Sequence, residues 1–245
     1  MKYTTCLFDL YGTLVDIHTN ESKATLSKNM AQIFSMTGAA YTAPELKKRY
    51  KELAREELRK RLFRAREEFH DSSLDESDIE IQLEKVFHGL LEDRGIHIDE
   101  RMMAQMGITF RSLSLSYIRL YDGVPELLHK IHESGDRAYL LSNAQRLFTE
   151  PEMRMLGIYD SFDGILYSSD AGVKKPSAHF YDLLFQKYGL KKEESVMIGN
   201  EYRADIQGAE EYGIRSMYIF TAQSGRKPTK LPENCRKINR ITEVL

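Results

Sequence analysis

The hydrophobic positions of this chain change rhythm twice. Residues 4–9 form a short apolar, β-type run that ends on Asp9. Beyond residue 120, similar runs recur at 137–142, 164–168, 195–199 and 215–220. Stretches with helical spacing separate them, at 124–134, 149–156, 178–188 and 204–212. Strands alternating with helices of this length predict βαβ units and a parallel sheet, an α/β fold. Pro125 falls in a first helical turn, where a missing N–H costs little. Gly135, Gly157, Gly189 and Gly213 each fall where a helix should end.

Residues 17–117 follow another rhythm. In 44–69, Leu46, Tyr50, Leu53, Leu58, Leu62 and Phe69 recur at intervals close to one helix face, and Asp71-Ser72-Ser73 breaks the pattern. Ile79, Leu83, Val86, Phe87, Leu90 and Leu91 mark a second amphipathic helix, closed near Gly95. Residues 99–117 form a third helical stretch, weakened by Gly107. The pattern predicts a helical insert at 17–118 lodged in a core made of 1–16 and 119–245. Ile17, His18 and residues 117–121 are the expected hinges, because the chain must cross there.

With 245 residues, 42% hydrophobic and 29% charged, the chain is long enough for one large domain or a core plus an insert. A net charge of −2 argues against a dedicated nucleic-acid binder. Cys6 and Cys235 give neither a disulfide framework nor zinc spacing. No apolar stretch approaches the length of a membrane span. Asp9 interrupts the place where a signal peptide needs an apolar centre, so a cytoplasmic chain is expected. Residues 47–66 hold ten Lys and Arg against three Glu. This is either a solvated helix face or a cationic lid that draws anionic substrates toward a site.

Four segments converge if the strands lie parallel. They are Asp9, the strand end Leu141-Ser142-Asn143, the run Val173-Lys174-Lys175-Pro176, and Gly199-Asn200-Glu201 followed by Asp205. Taken singly, each has a plain alternative: a helix cap, a strand-end hydroxyl, surface charge, a turn. Together, three apolar strands that each end in a polar group define a site. The chemistry this predicts is nucleophilic attack by Asp9 on an anionic electrophile, forming an ester that water cleaves. Lys175 supplies the positive charge that cancels repulsion. Ser142, Thr13, Asn143 and backbone N–H groups near Gly12 hold the non-reacting oxygens. Mg2+ bound by oxygen ligands neutralises the rest.

In this order and spacing the chain resembles the haloacid dehalogenase-like hydrolase superfamily over its whole length. Asp9-Leu10-Tyr11-Gly12-Thr13 resembles the first motif, Ser142 the second, Lys175-Pro176 the third, and Gly199-Asn200-Glu201-Tyr202-Arg203-Ala204-Asp205 the fourth. The resemblance implies a Rossmann-like core, a mobile helical cap of the first cap class and an aspartyl-enzyme intermediate on Asp9. It implies metal ligands at Asp9, the Tyr11 carbonyl, Asn200, Glu201 and Asp205. Two positions depart from the phosphatases of that superfamily. Tyr11 replaces a second aspartate that works as general acid and base, and a phenol with a pKa of about 10 serves poorly near neutrality. Asn200 replaces a magnesium-binding aspartate. Tyr11 is what its 2-haloacid dehalogenases carry, since halide leaves without a proton. Yet Tyr202 stands where those enzymes have an asparagine, and the cap lacks an obvious arginine set among aromatics near its first helix, Arg49 beside Tyr50 being a weak candidate for a substrate-carboxylate clamp. Three functions follow: a Mg2+-dependent phosphatase of small phosphorylated metabolites, a metal-independent 2-haloacid dehalogenase, or a feeble relative that binds a phosphometabolite. All imply a small-molecule anionic substrate, no nucleic acid and no membrane, with monomer or homodimer left open.

Overall fold

The computed structural model describes residues 3–245. Strand β1 (Thr5–Phe8) opens the core, and β2 (Val15–Thr19) leaves it. Helices α1 (Ala24–Met36), α2 (Ala43–Glu68), α3 (Leu83–Glu92) and α4 (Glu100–Ser114) follow. The chain returns through β3 (Leu115–Leu120). From there it alternates: α5 (Val124–Glu133), β4 (Arg137–Ser142), α6 (Arg146–Met155), β5 (Gly164–Tyr167), a short α7 (Ser168–Ala171) and α8 (Ala178–Tyr188). Then come β6 (Ser195–Gly199), a wide π-type turn at Tyr202–Gln207, α9 (Gly208–Tyr212), β7 (Arg215–Ile219) and β8 (Cys235–Ile238).

Six strands form one sheet in the order β5-β4-β1-β6-β7-β8, and every neighbouring pair runs parallel. The fold is therefore α/β with a Rossmann-like sheet. β1 is central, flanked by β4 on one side and β6 on the other. Such a reversal of strand order opens a crevice at the carboxyl ends, where ligands bind in this architecture. One apolar cluster, with Phe8, Leu140 and Ile198, fills one face of the sheet. Leu7, Tyr139 and Met197, the alternate residues of the same strands, pack with α8 and α9 on the other. Both faces are covered, which is why these strands read as continuous apolar runs.

Strands β2 and β3 form a separate antiparallel ribbon in which Ile17 pairs with Ile118. The two junctions expected at 17 and 118 are thus partners across one ribbon. α1 to α4 beyond it enclose an apolar cluster of their own, with Phe34, Phe87 and Phe110, joined from the core by Leu147 and Phe148. The strand character of 115–120 runs against the helix expected to 117. α4 ends at Ser114 because Leu115 adopts extended backbone. Gly107 does not break the helix: a Cβ there would lie 2.3 Å from Leu147, so this glycine lets α4 lie close against the core. Ile79 is outside the second helix. It pairs with Val173 in an isolated bridge, flanked by Glu80 N–H to Gly172 and Lys174 N–H to Asp78. α1 lacked a predicted counterpart, as did β8.

Candidate active site

Asp9 follows the last residue of β1, and its N–H continues the ladder to the Ile198 carbonyl of β6. Its side chain meets Lys175 from the loop before α8, Nζ to Oδ1 at 2.8 Å. The same ammonium lies 2.8 Å from Oδ1 of Asp205. Lys175 is 2% exposed and Asp205 0%, so the three groups share one buried pocket. Burial alone pulls the Lys175 pKa down, but Asp205 and Asp9 outweigh it and raise it, keeping the ammonium charged. Burial pushes the Asp205 carboxyl up to about 7 despite Lys175. Its other oxygen accepts the Glu201 N–H at 2.8 Å.

The neighbouring sequence explains this fit. Asn143, just past β4, brackets the Lys175 backbone: its Oδ1 accepts the lysine N–H at 2.8 Å and its Nδ2 donates to the lysine carbonyl at 3.0 Å. Asn143 thus fixes the lysine rather than pointing free into a cleft. Thr13 Oγ1 donates within reach of Asp9 Oδ2 at 3.2 Å and Asn200 Oδ1 at 3.1 Å, tying the first motif to the fourth. Gly12 has φ +86°, and a Cβ there would lie 2.3 Å from Asn200 Nδ2. At Gly199 a Cβ would lie 2.2 Å from Asp205. Both positions exclude any side chain, the first by conformation and contact together. The Ser142 hydroxyl is buried and makes no hydrogen bond among the described residues. A donor left idle at the strand end beside Asn143 is free for a ligand oxygen.

The expected metal donors divide. Asp9 and Asn200 lie together through Thr13. Asp205 is turned to Lys175 and its own loop. Glu201 accepts from the Gly225 N–H, and burial together with Asp9 raises its pKa. Among the described residues no three His, Cys, Asp or Glu side chains form a metal cluster. A single carboxylate with amide and carbonyl oxygens still fits Mg2+, which keeps several waters and leans on substrate phosphate.

Tyr11 points elsewhere. Its hydroxyl bonds to Glu152 Oε2 and, at 2.9 Å, to Thr149 Oγ1, both on α6. Arg111 of α4 completes the group, with Nε 2.6 Å from Glu152 Oε1 and a guanidinium nitrogen 3.2 Å from the phenol. The guanidinium also covers the Phe148 ring at 4.1 Å. Burial and the Glu152 charge push the phenol far above its ordinary pKa. Arg111 is thus an arginine set among aromatics, from the last turn of α4 rather than near the first helix of the insert. Arg49 is bound to Asp93, Glu52 and Glu56 within the insert. Tyr11, Arg111, Asn143, Glu80 and Gln145 line a cleft of about 300 Å3 between insert and core. Sequence reasoning missed Arg111 and Glu152, although both carried a signal. Each sits on the apolar stripe of its helix, Arg111 with Met103, Met106 and Phe110, and Glu152 with Phe148 and Met153. A charge on a buried stripe needs a buried partner.

A carboxylate, a buried ammonium and an idle hydroxyl thus meet at the switch point of a parallel sheet. The chain belongs to the haloacid dehalogenase-like hydrolase family, whose model matches residues 3–213. Glyceraldehyde 3-phosphate phosphatase of Methanothermobacter thermautotrophicus is 27% identical over 56% of this chain, and the match spans 61% of that relative's length. HAD-hydrolase YfnB of Bacillus subtilis is 22% identical over 100% of this chain and 96% of its own. Among solved structures, 2-haloacid dehalogenase from Pseudomonas syringae pv. Tomato superposes with a TM-score of 0.60 at 17% identity, covering 99% of this chain and 96% of that one. Likeness at that identity speaks for the fold. Among the described residues no helix is long and apolar enough to cross a membrane.

Proposed function

We propose that this chain hydrolyses phosphate esters of small anionic metabolites with Asp9 as nucleophile. The observation that carries this is Lys175 held 2.8 Å from both Asp9 and Asp205 in a buried pocket. An Asp9 oxygen attacks phosphorus, the leaving oxygen departs, and water then cleaves the aspartyl phosphate to regenerate the carboxylate. Lys175 offsets the repulsion between two anions. Ser142 Oγ and the N–H groups around Gly12 hold the non-reacting oxygens. Asp9, Asn200 and the Tyr11 carbonyl would hold Mg2+, whose charge offsets that of the phosphate. The helical insert acts as a cap over the cleft, hinged on the β2–β3 ribbon. Relatives named as phosphatases support the substrate class.

Tyr11 shapes the preference. Its phenol is committed to Glu152 and Arg111, so no acid at that position serves the leaving group. Acyl and aryl phosphates, which leave without a proton, should be the best substrates. The same observation favours a second reading, a 2-haloacid dehalogenase. One experiment separates them: an aryl phosphate with and without Mg2+, and in parallel a 2-haloacid with halide detection. Phosphate release that needs Mg2+ supports the proposal. Halide release indifferent to chelator replaces it with the dehalogenase. Silence in both indicates a binding relative.

A further inference from the structure

The insert does not close its own apolar core. α1 to α4 leave a cavity of about 160 Å3, floored by Leu26, Met30, Phe34, Phe87, Leu90 and Phe110. These floor residues are all buried and all apolar. Charge is confined to the mouth, where Lys23, Lys47 and Lys51 face one carboxylate, Glu21. Glu21 is drawn toward Arg111, 4.0 Å away. Among the described residues none of the three lysines is in an ion pair.

Elsewhere on the basic helix three arginines have partners, while Lys48, Arg55, Arg59, Lys60 and Arg64, like the rim lysines, are in no ion pair among the described residues. Arg49 pairs with Asp93, Arg61 with Glu68, and Arg66 donates to the Leu74 carbonyl. Lys47 and Lys51 stand four residues apart on one face of α2, where like charges repel. An apolar cavity of ~150 Å3 stays dry and accepts a guest the size of benzene. An apolar pocket that opens to solvent under a cationic rim fits a ligand with an apolar body and a single anionic end.

We propose that this cavity binds an aliphatic carboxylate of about six to eight carbons, tail on Met30 and Phe34, carboxylate at the lysine rim. The pocket lies within the insert and shares no lining residue with the cleft that Tyr11 and Arg111 line, although Glu21 at its mouth reaches Arg111, and the proposal does not depend on the chemistry assigned to Asp9.

The test is calorimetric titration of the full chain with butyrate, hexanoate, octanoate and octylamine. Octanoate should bind one to one, with affinity rising about fourfold per added methylene until the cavity is full. Octylamine should bind at least about tenfold more weakly, since its charge meets the lysines. Met30→Trp fills the cavity and should weaken octanoate at least about tenfold. Should that variant fail to fold, the surface pair Lys47→Glu and Lys51→Glu carries no packing cost and should weaken it as much. No saturation by octanoate up to about 1 mM, equal binding of octylamine, or indifference to the charge-reversed pair would each overturn the proposal.

Discussion

Two buried polar clusters grow from the same short stretch of chain, one on Asp9 and one on Tyr11, and they differ in what they leave open. Around Asp9, Lys175 and Asp205 make a compact charged group, yet the Ser142 hydroxyl remains unused. Around Tyr11, the phenol, Glu152, Arg111 and Thr149 satisfy one another. The first cluster lies wholly within the sheet core. The second joins α4 of the insert to α6 of the core. Similar ingredients thus serve two ends: a site whose Ser142 hydroxyl is still unbonded, and a tie whose members bond mainly to one another. Removing the tie should loosen the molecule without touching the chemistry.

The largest contrast is expected from Lys175→Met. It strands two buried carboxylates, so stability should fall by about 3–5 kcal/mol and turnover of an aryl phosphate by at least about 10²–10³-fold. Arg111→Met strands Glu152 in the same way. It should cost about 3 kcal/mol by thermal unfolding while aryl phosphate turnover in the surviving fold stays near that of the parent. Equal loss of activity in the two variants would erase the distinction between site and tie.

A pH series is the next step down. The folded chain holds the Asp205 proton up to about 7, against 3.8 for an ordinary aspartate. The folded state therefore binds this proton more tightly than the unfolded one. The resulting stability is complete below pH 3.8 and is lost as the pH rises through 7. Asp205→Asn cannot titrate there. Between pH 5 and 7 the parent should lose about 2 kcal/mol relative to that variant, read as a widening gap in melting temperature. Parallel melting curves would remove the argument for a protonated Asp205. The smallest effect belongs to Tyr11→Phe, about 1 kcal/mol of stability with turnover unchanged. A fall of about 10² in turnover would give the phenol a part in proton transfer.

The sheet was legible because its strands are buried on both faces and read as apolar runs. The predicted strand 137–142 matches β4, and 195–199 matches β6. Gly135, Gly157, Gly189 and Gly213 adopt the left-handed conformation expected at helix ends. The ribbon was not legible, since β3 is half exposed and lacks clean alternation, with Ser116 and Tyr117 both turned outward. The site divides along the same line. Asp9, Ser142 and Gly199 end apolar strands and announce themselves locally. Lys175 reaches them across a loop, and only its meeting with Asp205 gives it meaning. Arg111 and Glu152 are distant in sequence, so their pairing was visible only as two charges on two apolar stripes.

The proposed nucleophile can be caught. Acid-quenched protein taken during turnover of an aryl phosphate, reduced with borohydride and digested, should carry homoserine at position 9, and the Asp9→Asn variant should carry none. Continued phosphate release with an unmodified Asp9, or with the mark on another carboxylate, would contradict the assignment of Asp9.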